Sequence, residues 1–270
     1  MSQFGRAAAA ARAVTALLAC AVVVPSSAAE ATVRVPPGNA AFDYQIGGAY
    51  KPLASTEIVE RDWHDSPAAG KYNICYVNAY QTQPEDEAWW TANHPGLLLR
   101  DAKGVLAGDP EWGEILLDTR TAAKRNALAA IMTRYLVRCA GRGYEAVELD
   151  NLDTFTRSSG LLSYAANRAY ARLLIIAGHK HGLAMAQKNT PDESGDLKKA
   201  GFDFAIAEEC QAYAECAAYT EVYAARVFEI EYTAAAYKAA CTARGARLSV
   251  IRRDRDVVPR GKAGYVYRQC

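Results

Sequence analysis

The chain lacks the patterns by which proteins hold a structural zinc ion. It has no Cys-x-x-Cys pair, and its four histidines show no metal-ligand spacing. It also lacks an apolar run of about 18 residues, the length that a membrane-spanning helix needs. Positive charge is not in excess, since 31 Lys and Arg stand against 30 Asp and Glu. We therefore expect no metal or other cofactor, no nucleic-acid partner and no stable insertion into a membrane.

The composition is that of a globular protein with a substantial core. Of the 270 residues, 51% are apolar and 23% are charged, which excludes a disordered chain, a collagen-like repeat and a coiled coil. The length fits one or two domains, and α/β barrels use about 250 residues as a single unit.

The N-terminus has the three parts of a signal peptide. Arg6 and Arg12 precede an apolar stretch of 12 residues, Ala13–Val24, and the small residues Pro25–Ala29 follow it. We expect residues 1–29 to be removed and residues 30–270 to form an exported protein. A minor alternative is a lipid anchor on Cys20, because Leu17–Cys20 loosely resembles a lipobox.

Six cysteines remain after residue 29, an even number that predicts disulfides in an exported protein. Six cysteines allow 15 connectivities. Cys210 and Cys216 are the best single pair, because a short loop can bring them together. Pairing of Cys241 with Cys270 would hold the C-terminus in place.

The mature chain alternates short apolar runs with longer helical patterns, among them Ala122–Arg142 and Ala165–His181. Eight such alternations over about 240 residues predict a single (β/α)8 TIM barrel, disulfide-stapled, of class α/β. The eight predicted strands are Phe42–Gly47, Tyr72–Asn78, Glu114–Asp118, Tyr144–Asp150, Gly182–Gln187, Phe202–Glu208, Val227–Tyr232 and Arg247–Ile251.

Acidic residues occur inside or at the ends of these strands, notably Glu148, Asp150, Glu229 and Glu231. Chemistry in a barrel of this kind lies at the C-terminal ends of the strands. In the fourth predicted strand, alternation directs Glu148 and Asp150 into the barrel, away from the covering helices. Side chains from the fourth and sixth strands can then face each other at the separation that two glycosidase carboxylates need. Structural ion pairs with lysine and arginine are the alternative.

In the sixth predicted strand, the residues leave open whether Glu208 or Glu209 faces into the barrel. If its bulky Phe204 and Ile206 face the helices, strict alternation turns Glu209 inward rather than Glu208.

Four motifs resemble glycoside hydrolase family 114, the endo-α-1,4-polygalactosaminidases with a TIM-barrel fold. They are Phe42–Gln45, Gly143–Asp153, Lys188–Asn189 and Glu208–Cys216. The resemblance implies that Asp150 and Glu208 are the catalytic pair. It also favours Glu208 over Glu209, which requires a β-bulge that shifts the alternation by one residue.

The implied substrate is a partly deacetylated, cationic galactosamine polymer, which an acidic cleft would attract. We expect Lys188 to keep Asp150 ionised as nucleophile or base, with Glu208 as general acid. The protein is expected to act as a monomer. The residues expected to bind substrate are Asp43, Tyr44, Gln45, Tyr80, Asn151, Asp153, Lys188, Asn189, Glu209, Tyr213 and Glu231.

Two other functions fit the same sequence. One is a secreted carbohydrate-binding protein on a catalytically degenerate barrel, and the other is a hydrolase of a different α-linked glycan. The segment Tyr80–Pro110, with Trp89, Trp90 and His94, is expected to form a lid or to reshape substrate choice.

Overall fold

A computed structural model describes Met1, Gly5 and residues 32–270, so Cys20 and the rest of the predicted signal peptide lie outside the described residues. Nine strands form one sheet in chain order, with β1 to β8 parallel and β9 antiparallel to β8. Because β1 lies beside β8, the sheet curls into a nearly closed barrel. The strands are β1 (Phe42–Gln45), β2 (Ile58–Asp62), β3 (Tyr72–Asn78), β4 (Ala146–Asp150), β5 (Ala184–Lys188), β6 (Phe204–Glu208), β7 (Val227–Glu231), β8 (Ser249–Arg253) and β9 (Tyr267–Gln269).

The helices lie outside the barrel wall. They are α1 (Glu87–Asn93), α2 (Ala122–Arg142), α3 (Thr154–Arg157), α4 (Tyr164–Lys180), α5 (Ser194–Ala200), α6 (Cys216–Tyr223) and α7 (Ala234–Arg244), with short 3₁₀ turns at Pro95–Leu97 and Pro191–Glu193. The hydroxyls of Thr121, Ser163 and Thr233 accept backbone N–H bonds at the starts of α2, α4 and α7. None of the helices described is both long and apolar enough to cross a membrane.

Seven of the eight predicted strands are present, and the prediction of a strand at Glu114–Asp118 is wrong. This segment instead makes isolated antiparallel bridges to Gln81, Leu98 and Gly108 within the long connection between β3 and α2. The strand that takes its place in the barrel is β2. Its sequence, with three charged residues out of five, does not read as a buried strand, yet all five residues are buried.

The chain therefore forms a mixed α/β barrel-like sheet of nine strands with incomplete helical cover. Residues 46–57 and 63–71, which connect β1 to β2 and β2 to β3, are described in full and contain no helix. The helix expected between the predicted strands Phe42–Gly47 and Tyr72–Asn78 is therefore wrong.

One apolar layer lies on each side of the sheet, inside the barrel and between the sheet and the helices. Phe204 and Ile206 belong to the cluster inside the barrel, whereas Ala205 and Ala207 face the helices. The expectation that the bulky pair faces the helices is wrong, and Glu208 points inward by plain alternation without a bulge. Both faces of β6 are buried, so side-chain size does not show which face is inside.

All six cysteines of the described region are paired. Cys210–Cys216 and Cys241–Cys270 confirm the two expected disulfides, and Cys75–Cys139 joins β3 to α2. The sequence separations are 64 residues for Cys75–Cys139, 29 for Cys241–Cys270 and 6 for Cys210–Cys216. A disulfide stabilises mainly by restricting the unfolded chain, more so when it closes a longer loop.

Replacing both cysteines of one disulfide by alanine is therefore expected to lower the free energy of unfolding in order of loop length. The chain-entropy relation gives a loss of about 4 kcal/mol for Cys75–Cys139 and about 2 kcal/mol for Cys210–Cys216. Equilibrium denaturation of the three double variants measures the order. A larger loss for Cys210–Cys216 than for Cys75–Cys139 would contradict it.

Candidate active site

A cleft of about 700 Å³ opens at the C-terminal ends of the strands, where βα loops converge. Ten acidic side chains line it, against three basic ones, Arg157, Lys188 and Arg255. The acidic side chains are Glu111, Glu114, Asp150, Asp153, Asp192, Glu193, Glu208, Glu209, Glu215 and Asp256.

Lys188 lies at the centre of the cleft floor. It is the last residue of β5, and its side chain is only 2% exposed. Its ammonium lies 2.9 Å from Glu148 Oε1, 3.4 Å from Asp150 Oδ1 and 3.3 Å from Glu208 Oε2. One buried cation therefore faces three carboxyl groups from β4 and β6.

Asp150 ends β4 and points into the barrel, as its alternation with Val147 and Leu149 predicts. Tyr76 of β3 donates its hydroxyl to Asp150 Oδ2 at 2.9 Å. Lys188 holds the other oxygen, and the side chain stays 14% exposed to the cleft.

Glu208 ends β6 and is more exposed to the cleft, at 23%. It accepts hydrogen bonds from the Tyr232 hydroxyl and, at 3.1 Å, from Asn189 Nδ2. Burial disfavours its ionised form, but the charge of Lys188 and these hydrogen bonds outweigh that effect and lower the pKa of Glu208. These contacts therefore favour the carboxylate form of Glu208.

The chain turns sharply after each of these three strand ends. Asn151, Asn189 and Glu209 follow Asp150, Lys188 and Glu208, with φ angles of 59°, 47° and 56°. Residues other than glycine are uncommon in this left-handed region, and those found there cluster at functional sites. The turns end the strands at the residues that face the cleft.

The structure brings eight of the predicted site residues to the cleft. Asp150 and Glu208 lie at its floor with Lys188, and the other five contribute to its walls. These five are Asn151, Asp153, Asn189, Glu209 and Tyr213.

Several wall residues are tied by hydrogen bonds within the protein. Arg157 binds Asp153 at 2.7 Å and the side-chain oxygen of Asn151 at 2.9 Å. Arg255 bridges Glu209, at 2.9 Å, and Glu111, at 2.5 Å, so it links the loop after β6 to the long β3–α2 connection.

Asp43 and Gln45 lie on the outer side of β1, since Tyr44 between them points inward. Gln45 donates to Asp43 at 2.9 Å and accepts from Arg61 at the same distance, and Tyr50 donates to Asp43 at 2.5 Å. These contacts replace the missing helical cover of β1 and β2. The expectation that Asp43 and Gln45 line the cleft is wrong.

Tyr44 and Tyr80 are fully buried. Tyr44 lies beneath the cleft floor, where its hydroxyl accepts from Lys188 at 3.1 Å and donates to Glu148 at 3.4 Å. Tyr80 packs against Tyr170 in the layer between sheet and helices. Neither residue lines the cleft.

Glu229 and Glu231 also face away from the cleft, because Phe228 and Ile230 occupy the inner positions of β7. Arg244 of α7 binds Glu229 at 2.7 Å, and the backbone N–H of Gln211 donates to Glu231 at 2.8 Å. The expectation that Glu231 binds substrate in the cleft is wrong, since both acids are held by groups behind the barrel wall.

Sequence reasoning missed several residues of the site. Tyr76 was detectable, because it alternates with Ile74 toward the inside of β3. Glu111 and Trp112 come from the long β3–α2 connection, for which periodicity gave no signal. Trp112 and Tyr213 are 53% and 66% exposed at the cleft, which makes both available for stacking on a sugar ring. Trp89, Trp90 and His94, the aromatic cluster of the expected lid, pack against one another away from it.

Comparison with known proteins settles the family. The model of glycoside-hydrolase family GH114 matches residues 24–270. The chain belongs to family GH114. It is a glycoside hydrolase of that family with a barrel fold, as the sequence motifs indicated.

Two solved structures support the GH114 fold. The structure of Aspergillus fumigatus Ega3 in complex with galactosamine has a TM-score of 0.69 and 22% identity, and the match covers 90% of this chain and 100% of that one. The glycoside hydrolase domain of PelA from Pseudomonas aeruginosa has a TM-score of 0.56 and 15% identity, with 83% and 97% covered. No curated protein sequence matches the chain.

Lys188→Met is expected to raise the pKa of Glu208 by about one unit or more, because an opposite charge at this distance typically lowers a carboxyl pKa by one to three units. The pKa of Glu148 rises in the same variant, since Lys188 lowers it as well. Carboxyl ¹³C NMR titration measures both.

The exposed Lys180→Met is the matched control and leaves both values in place. Carboxyl groups whose folded-state pKa is raised favour the folded state at low pH, so Lys188→Met loses stability as the pH rises through those pKa values. A Glu208 pKa that is unchanged in Lys188→Met would contradict the assignment.

Proposed function

We propose that this GH114 protein is a secreted enzyme that cleaves α-1,4-linked, galactosamine-containing polysaccharide with Asp150 and Glu208 as its carboxylate pair. The observation that carries the proposal is the position of the two side chains, which flank Lys188 at the floor of an acidic cleft. In this proposal residues 1–29 are a signal peptide, and residues 30–270 are a TIM-barrel catalytic domain that acts extracellularly as a monomer.

The charge of the cleft supports a cationic substrate. Ten acidic against three basic side chains make the cleft strongly negative, although the whole chain has a formal net charge of only +1. A negatively lined cleft concentrates a positively charged ligand. Deacetylated galactosamine carries an ammonium group at neutral pH, and Ega3, a protein of similar fold, was solved with galactosamine.

The carboxylate separation supports a two-step reaction that retains the anomeric configuration. Lys188 Nζ lies 3.4 Å from Asp150 Oδ1 and 3.3 Å from Glu208 Oε2, so these oxygens are at most 6.7 Å apart, the sum of the two distances. Retaining glycosidases place the two groups about 5–5.5 Å apart, whereas inverting enzymes need about 6.5–9.5 Å. The limit applies to one oxygen of each group, and it is compatible with the spacing of a retaining pair.

The contacts do not support the expected division of roles. Lys188 touches Asp150 and Glu208 at nearly equal distances, so it does not hold Asp150 alone as the carboxylate. Besides their ion pairs with Lys188, Glu208 accepts hydrogen bonds from Tyr232 and Asn189, and Asp150 accepts one from Tyr76. We therefore propose the pair without assigning acid and nucleophile, which the experiment below does.

Asp150→Asn and Glu208→Gln are each expected to reduce kcat on deacetylated α-1,4-galactosamine polymer by at least about 10³-fold. The reason is that an amide can neither form the glycosyl-enzyme bond nor supply the proton to the leaving oxygen. Mass spectrometry of the released oligosaccharides measures the rate. Glu221→Gln, an exposed change on α6, is the matched control and keeps wild-type activity.

Rescue by azide assigns the two roles. Asp150→Ala and Glu208→Ala are each given azide and an oligomer that carries an activated aryl leaving group, and the configuration of the glycosyl azide product is determined. The acid/base variant yields an α-glycosyl azide, because azide attacks the glycosyl-enzyme, and the nucleophile variant yields the β-azide. If both alanine variants hydrolyse the polymer at the wild-type rate, the pair is wrong.

The charge argument predicts that a fully N-acetylated polymer is cleaved with at least about tenfold lower kcat/KM than the deacetylated one. The preference is expected to shrink as salt rises from 0.05 to about 0.5 M, since salt screens exposed charges. Side-by-side kinetics on the two polymers measure it. Equal kcat/KM at low salt would show that the acidic walls do not select the substrate.

A further inference from the structure

Two acidic residues lie inside the barrel and are not part of the proposed catalytic pair. Glu60 of β2 and Glu148 of β4 are both 0% exposed. Glu148 Oε1 accepts from Lys188 at 2.9 Å and from the Tyr44 hydroxyl at 3.4 Å. Its Oε2 and both carboxyl oxygens of Glu60 receive no hydrogen bond from any nitrogen or hydroxyl of the described residues.

Charge balance requires a proton in this cluster. Glu60, Glu148, Asp150 and Glu208 face one another across the barrel, and Lys188 is the one basic side chain of the described region that pairs with any of them. With all four acids ionised, the cluster would carry three uncompensated negative charges. A buried carboxylate that lacks a partner takes up a proton instead.

Hydrogen bonding shows where the proton belongs. The three buried oxygens without donors are two on Glu60 and one on Glu148. Both side chains point into the barrel, from strands that lie on either side of β3. Two carboxylates repel each other, whereas a carboxylic acid donates its proton to a carboxylate and so provides a partner for one oxygen of each group.

We propose that Glu60 is a neutral acid that donates its proton to Glu148, so that the two residues keep one negative charge beneath Lys188. Glu60 is then a positioning residue: through Glu148 it holds the ammonium between Asp150 and Glu208. The groups that face the two glutamates from the neighbouring strands are Tyr44, Tyr76, Asp150, Lys188 and Glu208.

The pKa directions agree with this arrangement. Burial, followed by repulsion from Glu148, raises the pKa of Glu60 well above its ordinary value. Burial also raises the pKa of Glu148 to about 7, although Lys188 opposes the shift. The hydroxyls of Tyr44 and Tyr76 stay neutral because burial raises their pKa values further.

Infrared spectroscopy tests directly whether Glu60 carries a proton, and it does not depend on the proposed function. At pH 8 the wild-type protein is expected to show the C=O stretch of a protonated carboxyl, which Glu60→Gln removes. Glu221→Gln on the surface of α6 leaves the band in place. Absence of the band from the wild type, or its persistence at full strength in Glu60→Gln, would overturn the proposal.

Enzyme kinetics test the positioning role of Glu60. This experiment rests on the proposed function, because it requires that the protein hydrolyses the polymer. Glu60→Gln keeps a donor toward Glu148 and is expected to retain kcat within about threefold. Glu60→Leu fills the same space without a donor, so Glu148 protonates more easily and Lys188 loses its counter-charge. For this variant we expect kcat to fall at least tenfold, KM to stay within threefold, and the acid limb of the pH profile to rise by about one unit.

The two kinetic variants separate a positioning role from a merely structural one. If Glu60→Gln is as slow as Glu60→Leu, or Glu60→Leu matches the wild type in rate and pH profile, the positioning role is wrong. Thermal unfolding checks that both variants fold, and Glu60→Leu joins apolar neighbours inside the barrel, including Ile58 and Ile74. If the wild type cleaves no polymer, the infrared result still decides the proton, so the two failures are distinguishable.

Discussion

The site depends on one buried ammonium. Lys188 is 2% exposed and stands 2.9–3.4 Å from Glu148, Asp150 and Glu208. Taking a charge out of water costs several kcal/mol, and only close partners of opposite sign offset the cost. The lysine therefore depends on its carboxylates, and its removal would leave Glu148, Asp150 and Glu208 without the one cation they share.

The barrel interior is built to admit this cluster. Ala146, Ala184 and Ala186 occupy inner positions of β4 and β5 beneath the cleft, and Ala186 is the register partner of Glu148. These small side chains leave room for the long side chains of Lys188 and Glu148. Larger residues, among them Phe42, Phe204 and Phe228, fill other parts of the interior. The left-handed turns after Asp150, Lys188 and Glu208 then release the chain at the level of the cleft floor.

The sequence predicted the barrel and the floor of the cleft because both leave local patterns. In β4 the apolar Val147 and Leu149 alternate with Glu148 and Asp150, so polarity alone assigns the faces. In β6 every residue before Glu208 is apolar, and size was a wrong guide because large side chains fill the barrel while alanines contact the helices. Glu208 was expected to face inward only because the family motif was followed, and its side chain does line the cleft.

Other features were out of reach for a related physical reason: they depend on partners distant in sequence. Glu60 made β2 look like a surface segment, since a buried acid is tolerated only beside a group that shares its proton or its charge. That group, Glu148, comes 88 positions later in the chain. Asp43, by contrast, is satisfied by nearby residues, Tyr50 and Gln45, on the side of the barrel that has no helix. No periodicity reports such partnerships.

Net charge conceals the acidity of the cleft. With 31 basic and 30 acidic residues the chain is nearly neutral, yet the cleft walls hold ten acids and three bases. The excess of basic residues must then lie elsewhere on the molecule. Under the proposed function, a polymer of positive charge is thereby drawn to the cleft and repelled from the remaining surface, which favours its entry where Asp150 and Glu208 lie. The proposed selectivity therefore rests on the segregation of charge rather than on its sum.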